Sequence, residues 1–463
     1  MKKVGSQNKE TQAILDCYFK RTTKSRELNS EATRSLPGGD TRQSVYFYPY
    51  PTYMVRGEGC YIFDQDGNQY IDYMNNYTSL FHGHNHRKIR EVVTKQLTCG
   101  TVFGAPHKSQ FELADIICER VPSIENIRFC NSGTEATMLA IRAARAYTGK
   151  DKIIKMEGGY HGTHDVAEAS VSPSLEEAGD AESPNVVPYS RGIPENTFEN
   201  VVIVPFNNVQ ATKSAIHAHR DELAAIIVEP VMNAAGTIPA TKEYLRFLRD
   251  ITKKEGILLI FDEVATLRMS FGGAQQYYEI TPDLTTLGKI IGGGLPVGAF
   301  GGREDIMSMF SPKEGTLHHA GTFNGHPLAM VAGIVAMQES TIEVYKQVNA
   351  LGDSLRKGIN DVFADIGIAG STSGMGSLLT IHYTTNEIKD YRDSKRAQDG
   401  SGQLPTFMHL CLLNHGIFMA SRGQLALSTP MREDEIRGAV NAIREACVTL
   451  KPYIHQFLPH LIK

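Results

Sequence analysis

The 463-residue sequence has no tryptophan, no C-x-x-C pair and no strong charge of either sign. Its 47 basic and 51 acidic side chains leave a formal net charge of −4. That balance excludes a cationic surface built to track phosphates, so no nucleic-acid partner is expected. The seven cysteines (Cys17, Cys60, Cys99, Cys118, Cys130, Cys411 and Cys447) are odd in number and scattered. A disulfide framework or a cysteine-built zinc cluster is therefore not expected, and a reducing cytoplasm suits the pattern. No run approaches the ~20 apolar residues a membrane helix needs. Met1–Glu10 has no apolar core behind its lysines, so neither a secretory leader nor a membrane partner is expected. An apolar fraction of 41% excludes a disordered chain. The length suggests two or three domains, or one large α/β domain with additions.

What the sequence does have is glycine, 42 residues or about 9%, against roughly 7% in average usage. Residues 8–35 are charged with helical spacing, and Leu36-Pro37-Gly38-Gly39-Asp40 breaks that pattern. Residues 52–73 read as short antiparallel strands with a turn at Asp64–Asn68. From about residue 109, short apolar runs alternate with helical patterns. The runs are Ile127–Cys130, Lys152–Met156, Val201–Val204, Ala225–Val228, Leu258–Phe261 and Val297–Phe300. The alternation predicts an α/β fold with a mostly parallel sheet and helices on both faces. Beyond residue 331 the texture is α+β, with helical patterns near 331–366 and 433–450. Residues 170–197 have little periodicity, which fits either a lid or an inert surface insertion.

Ligands of an open α/β sheet bind outside the carboxyl ends of its strands. After Ile127–Cys130 comes Asn131-Ser132-Gly133-Thr134-Glu135, at the start of a predicted helix. Small residues and free N–H groups there suit a phosphate, although taken alone an ordinary Ser/Thr cap is the better explanation, since every helix needs one. After Leu258–Phe261 come Asp262 and Glu263, where Asp262 is a candidate metal ligand, general base or partner of a protonated ring nitrogen. After Asp283–Leu287, Lys289 lies among glycines and aliphatics. Desolvation there would favour a neutral, nucleophilic amine, the alternative being a surface lysine on a turn. Glu157-Gly158-Gly159-Tyr160-His161-Gly162 puts an aromatic on a glycine loop, where it can stack on a flat ring. His82, His84 and His86 alternate along one stretch, but a spacing of two is poor for metal ligands without an added acid or cysteine. A phosphate seat, an acid, an isolated lysine and a stacking aromatic at strand ends together suggest pyridoxal phosphate.

These residues also carry a resemblance. Asn131–Ala136, Gly159–Gly162, Val228-Glu229-Pro230, Phe261–Val264 and Leu287–Gly302 resemble the class III aminotransferases in order and spacing. The resemblance spans roughly residues 30–450. It implies fold type I, with a large cofactor domain, a small domain from both chain ends, and a homodimer. The corresponding division is 1–95, 96–330 and 331–463. It also implies that Lys289 carries the cofactor and shuttles a proton, while Asp262 holds the pyridine nitrogen protonated. Val264 and Tyr160 would flank the ring, and Ser132, Gly133 and Thr134 would hold the phosphate. Glu229 and His161 would complete the cofactor site, with a minor role for His161. Thr322 would reach the partner subunit's phosphate. Many class III enzymes have glutamine where this sequence has Ala265.

Within the family two branches compete. Leu287–Gly302 is close to glutamate-1-semialdehyde 2,1-aminomutases. The stretches Pro37–Val45 and Ile417–Leu425 look more like β-amino acid (β-phenylalanine) aminotransferases, with Leu425 where an aminomutase acid is expected. In that branch arginines take part in carboxylate recognition, and Arg42 and Arg422 occupy the matching places. Tyr77 completes the candidate substrate set. The expectation is transfer of an amino group from a β-amino acid, perhaps aromatic, to 2-oxoglutarate or pyruvate. The alternatives are the aminomutase reaction and an amino acid racemase on the same scaffold.

Overall fold

Seven short runs, most of them buried on both faces, form the central sheet of the computed structural model, which describes residues 8–463 apart from residue 314. The expectation about a leader in Met1–Glu10 falls mostly outside that range. Leu223–Val228, Leu258–Asp262 and Leu284–Gly288 are buried at every position. Strands with no solvent face need layers on both sides, which the flanking helices supply. Across the sheet the order is Asn126–Cys130, Gly298–Gly302, Leu284–Gly288, Leu258–Asp262, Leu223–Val228, Lys152–Met156 and Val201–Val204. The pairs from Leu284–Gly288 to Val201–Val204 are all parallel. Gly298–Gly302 runs antiparallel to both its neighbours. Glycine is required there: a Cβ on Gly298 would lie 2.0 Å from the Ser132 carbonyl oxygen. This close approach sets Gly298–Gly302 between the strand leading to Asn131 and the one leading to Lys289.

The helix Gly133–Thr148 follows the first of these strands. Ser132 and Glu135 cap each other's backbone N–H groups, and Gly149 ends the helix at φ +68°. Its inner face is rich in alanine (Ala136, Ala140, Ala143, Ala144), so it lies close on the sheet.

Both chain ends meet in a second, four-stranded sheet. Met54–Glu58, Tyr61–Asp64 and Gln69–Asp72 form an antiparallel meander, and Ile417–Phe418 adds in parallel to the last strand. A three-stranded sheet joins Ser371–Met375, Leu378–His382 and Gln424–Ala426. Over them lie the 25-residue helices Ile342–Ile366 and Glu433–Phe457. The first buries Tyr345, Val348, Leu355, Ile359 and Val362, a helical stripe facing the core. We propose the division 1–95, 96–330 and 331–463 for the domains, and the shared four-stranded sheet supports a small domain drawn from both ends.

The structure splits two predicted helical stretches. Residues 8–35 become Lys9–Arg21 and Thr23–Ala32, parting at Thr22, whose hydroxyl bonds back to the Tyr18 carbonyl at 2.6 Å. The stretch near 331–366 becomes Pro327–Glu339 and Ile342–Ile366, because Thr341 caps a new helix. Such local side-chain caps interrupt a pattern that apolar spacing alone carries through. Among the described residues no helix is long and apolar enough to cross a membrane.

Candidate active site

The carboxyl ends of the parallel strands open into one large cleft of about 1670 Å³. Gly133, Thr134, Tyr160, His161, Glu229, Asp262, Val264 and Lys289 all line it. So do Arg42, Tyr77 and Arg422. Eleven residues chosen from separate stretches of sequence therefore share one cavity.

Three backbone segments pack together at the N-terminus of helix Gly133–Thr148. A Cβ on Gly133 would stand 3.0 Å from Val264 Cγ1, and a Cβ on Gly162 would stand 2.6 Å from Thr134 Cα. Gly162 has φ +94°, a conformation that favours glycine. The N–H of Thr163 donates to Thr134 Oγ1 at 3.3 Å. The N–H groups of Gly133 and Thr134 make no hydrogen bond within the described residues. Two free donors, a helix dipole and small side chains form a seat for a phosphate. Ser132 is different. Its hydroxyl accepts from the Glu135 N–H at 3.2 Å, its own N–H donates to Glu135 Oε2 at 3.1 Å, and it does not line the cleft. The capping bonds engage the Ser132 hydroxyl, and the N–H groups of Gly133 and Thr134 are left without partners among the described residues.

Asp262 is buried at the end of its strand. Its Oδ1 accepts from the Val264 N–H and the Thr286 hydroxyl, both at 3.1 Å. Its Oδ2 lies 2.8 Å from His161 Nδ1. Burial lowers the His161 pKa despite the aspartate, so the ring stays neutral and donates through Nδ1. His161 Nε2 is buried without a partner among the described residues. Nothing in the local pattern ranks His161 above a minor residue; in the structure its ring supports Asp262.

Glu229 is also buried, with its carboxylate accepting from the N–H groups of Tyr160 (3.1 Å) and Asn233 (3.2 Å). Burial first, then the neighbouring Asp262, pushes its pKa up to about 8. Lys289 makes no hydrogen bond or ion pair with the described residues and sits at φ +50°, an uncommon conformation for a non-glycine residue. Burial pulls its pKa down to about 8. Asp262 and Glu229 oppose that fall, and the guanidiniums of Arg422 and Arg268 add to it. The amine is thus poised as a nucleophile near neutral pH.

The other wall is a left-handed turn. Asn75, Asn76, Tyr77 and Thr78 have φ values of +49°, +47°, +54° and +76°. Each such residue costs roughly 1–2 kcal/mol, so the turn must be held from outside. Asp72 Oδ1 accepts from the N–H groups of Met74 and Asn75, and Asn75 Nδ2 donates to the Ala426 carbonyl. Arg268, fully buried, donates to the Thr78 carbonyl at 3.3 Å, to Ser377 Oγ at 3.1 Å and to the Leu427 carbonyl. The turn presents Tyr77 close to two guanidiniums, Arg422 at 5.1 Å and Arg42 at 5.9 Å from its ring centre. Arg42 Nη2 donates to Asn76 Oδ1 at 2.6 Å, and the Tyr77 hydroxyl donates to the Ser44 carbonyl. Arg422 faces the open cleft, and the protein around it lowers its pKa by desolvation. Its side chain donates to Gln424 Oε1 at 2.6 Å. No carboxylate among the described residues pairs with it.

Other expected positions fall elsewhere. Thr322 is exposed and outside this cleft. Leu425 is buried in the core and does not line the cleft, so its apolar character says nothing about the substrate. The three alternating histidines disperse: His82 bonds the Ala336 carbonyl, His84 pairs with Asp72, and His86 stands 4.0 Å from Glu339. Arg268, Asn233 and Tyr189 belong to the cleft or its supports without having been singled out. A lone arginine after Asp262–Val264 and a tyrosine in an aperiodic segment carry no local pattern that marks them.

A flat phosphorylated ring fits this cavity. It has free donors for a phosphate at Gly133 and Thr134, an acid held by three donors at Asp262, an unpaired amine at Lys289, and Val264 and Tyr160 on the lining. Fold and site define a pyridoxal-phosphate-dependent enzyme of fold type I. The sequence model described as Aminotransferase class-III matches residues 45–446, and the chain belongs to that family. It is 42% identical over 430 residues to the glutamate-1-semialdehyde 2,1-aminomutase of Methanosphaera stadtmanae, covering 92% of this chain and 99% of the relative. Among solved structures it is similar to an omega-transaminase from Sphaerobacter thermophilus (43% identity, TM-score 0.88, 92% and 98% coverage). It is also similar to a β-phenylalanine aminotransferase from Variovorax paradoxus (34% identity, TM-score 0.85, 96% and 98% coverage).

Proposed function

We propose that the protein exchanges an amino group between pyridoxal phosphate and a substrate whose carboxylate is anchored by Arg422. The observation that carries this reading is the guanidinium itself, set in the cleft over Tyr77 with no carboxylate partner among the described residues. Arginine's planar fork meets a carboxylate with two parallel hydrogen bonds. The cofactor, when bound, supplies an electron sink for the substrate carbon that carries the amino group. Asp262 would keep the ring nitrogen protonated, with His161 fixing its carboxylate. Gly133 and Thr134 would hold the phosphate, and Val264 and Tyr160 would confine the ring. Lys289 would hold the cofactor and move a proton at the substrate carbon, a task for which a pKa near neutrality is suited.

Intermolecular transamination, from a β-amino acid to 2-oxoglutarate or pyruvate, is supported by the pair Arg42 and Arg422, at 5.9 Å and 5.1 Å from the Tyr77 ring centre. Two cations can serve a dicarboxylate acceptor as well as a monocarboxylate donor. A second reading, the glutamate-1-semialdehyde aminomutase reaction, is supported by the names of the curated relatives. On those names alone the weight falls on this second reading. Incubating the yellow enzyme with β-phenylalanine and 2-oxoglutarate, and separately with glutamate 1-semialdehyde, decides between them. Formation of 5-aminolevulinate with no glutamate from the first mixture would reject transamination. A homodimer is part of the proposal: Thr322 and the exposed Phe323 lie outside the chain's own cleft, where a second subunit could meet them.

A further inference from the structure

Residues 170–197 left two options open, a lid or an inert insertion. The structure holds this segment by buried charges. Arg392, 6% exposed, forms a two-pronged pair with Glu157, with Nε to Oε2 at 2.9 Å and Nη2 to Oε1 at 3.0 Å. The same guanidinium donates to the carbonyls of Ala178 (3.2 Å), Gly179 (2.8 Å) and Asp180 (2.8 Å). The neighbouring Tyr391 donates its hydroxyl to the Pro173 carbonyl, and its ring fills the space a Cβ on Gly158 would need. Lys155, fully buried, donates to the carbonyls of Gly159 (2.9 Å) and Ala169. Arg392 thus ties the segment to Glu157, at the start of the loop that carries Tyr160, and Lys155 braces Ala169, just before the segment, against Gly159 of that loop.

The segment then folds back on itself. Ser170 N–H donates to the Val187 carbonyl at 2.7 Å, Val187 N–H to Ser170 Oγ at 2.9 Å, and Tyr189 N–H to the Glu168 carbonyl at 2.8 Å. This return leg sets Tyr189 into the cleft wall with its ring 54% exposed. Tyr189, Tyr160 and Tyr77 line the same cleft as Arg422, whose guanidinium stands 5.1 Å from the Tyr77 ring centre. An anion bound at Arg422 would therefore extend its tail among aromatic faces, where an aryl ring stacks favourably.

We propose that residues 170–197 are a fixed wall of the substrate cleft latched by Arg392. We further propose that Tyr189 on this wall is a specificity-determining residue for carboxylates with an aryl tail. The proposal rests on the reading of Arg422 as carboxylate anchor. The experiment measures binding of 3-phenylpropanoate and butanoate, which lack an amine and do not react, to the cofactor-loaded enzyme by calorimetry. Tyr189→Ala should weaken 3-phenylpropanoate at least fivefold and butanoate less than twofold, whereas Arg422→Ala should weaken both alike. An unchanged affinity for 3-phenylpropanoate in Tyr189→Ala overturns the role of Tyr189 while leaving the anchor intact. Binding of neither probe by the unaltered enzyme overturns the anchor, and the proposal with it.

The latch has its own readout. Arg392→Met should open the segment to chymotrypsin in both the cofactor-free and loaded protein, and should lose selectivity between the two probes as Tyr189→Ala does. A protein merely weakened in structure would bind both probes less well, with their ratio kept. Should Arg392→Met not fold, Tyr391→Phe removes one hydroxyl and should move both readouts in the same direction. A segment that stays protected, or one that is cut while probe selectivity persists, overturns the latch.

Discussion

His161 Nδ1 stands 2.8 Å from Asp262 Oδ2, with both side chains buried. The two residues come from different strand ends, 101 positions apart. A neutral imidazole can donate one N–H and leave the negative charge on the aspartate. That charge is what a protonated ring nitrogen requires. Asp262→Asn keeps the shape but removes the charge. It should lower kcat at least ~10²-fold, the scale on which a preorganised electrostatic partner is felt. Cofactor content, read from the visible spectrum, should fall far less. A kcat within a factor of three would reject this role for Asp262.

Lys289→Ala should remove the yellow absorbance of the lysine-bound cofactor and all turnover, with the thermal unfolding transition still cooperative. The pH dependence carries its own sign. With its pKa drawn down to about 8, roughly one Lys289 in ten is neutral at pH 7, against roughly one in several thousand for an ordinary lysine. Capture of pyridoxal phosphate by cofactor-free enzyme should therefore speed up as pH rises toward 8 and level off above it. A rate still climbing steeply between pH 9 and 10 would show an unperturbed amine.

How much of this could be read from the sequence follows from the range of the interactions. The strand Leu258–Asp262 and the glycines around Lys289 are local patterns, because buried strands are apolar throughout and close backbone passages demand glycine. Together with the small residues after Cys130 and the glycine loop after Met156, they predict one cleft for Asp262, Lys289, Gly133, Thr134 and Tyr160. The turn Asn75–Thr78 was not legible. Its φ values depend on Asp72, Ala426 and Arg268, which lie far apart in the chain. Ser132 is ambiguous for the converse reason: its hydroxyl type suits both a phosphate and a helix cap, and its bond to Glu135 is visible only in the fold. Arg392 and residues 170–197 were opaque for the same reason, since its partners are more than 200 positions away.

Arg422→Ala should raise KM for a carboxylate substrate by roughly 10- to 100-fold, the loss expected from a charge-assisted hydrogen-bonded pair. Steady-state kinetics with the best donor of a panel of α- and β-amino acids measures this. Arg42→Ala, at the mouth of the cleft and bonded to Asn76, should raise KM for a dicarboxylate acceptor more than for the donor. Equal effects of Arg42→Ala on donor and acceptor would argue against a division of labour around Tyr77.

Arg268 tests whether the left-handed turn and the lysine are supported together. It is buried without a carboxylate partner, 5.1 Å over the Phe81 ring, and burial draws its pKa down to about 9. Arg268→Met leaves the carbonyls of Thr78 and Leu427 and the hydroxyl of Ser377 without this donor. The expected destabilisation is at least about 2 kcal/mol, read as a lower denaturant midpoint. Release of Thr78 should loosen Tyr77 and raise KM for the carboxylate substrate. The substitution also removes a positive charge that lowers the Lys289 pKa. The midpoint of cofactor capture should then move above pH 8. Arg268→Lys separates the two effects, because a lysine keeps the charge but cannot span three acceptors. It should share the stability and KM defects while its capture midpoint stays near that of the unaltered enzyme. If both variants shift the midpoint equally, the charge of Arg268 does not act on Lys289, and its role is confined to holding the turn.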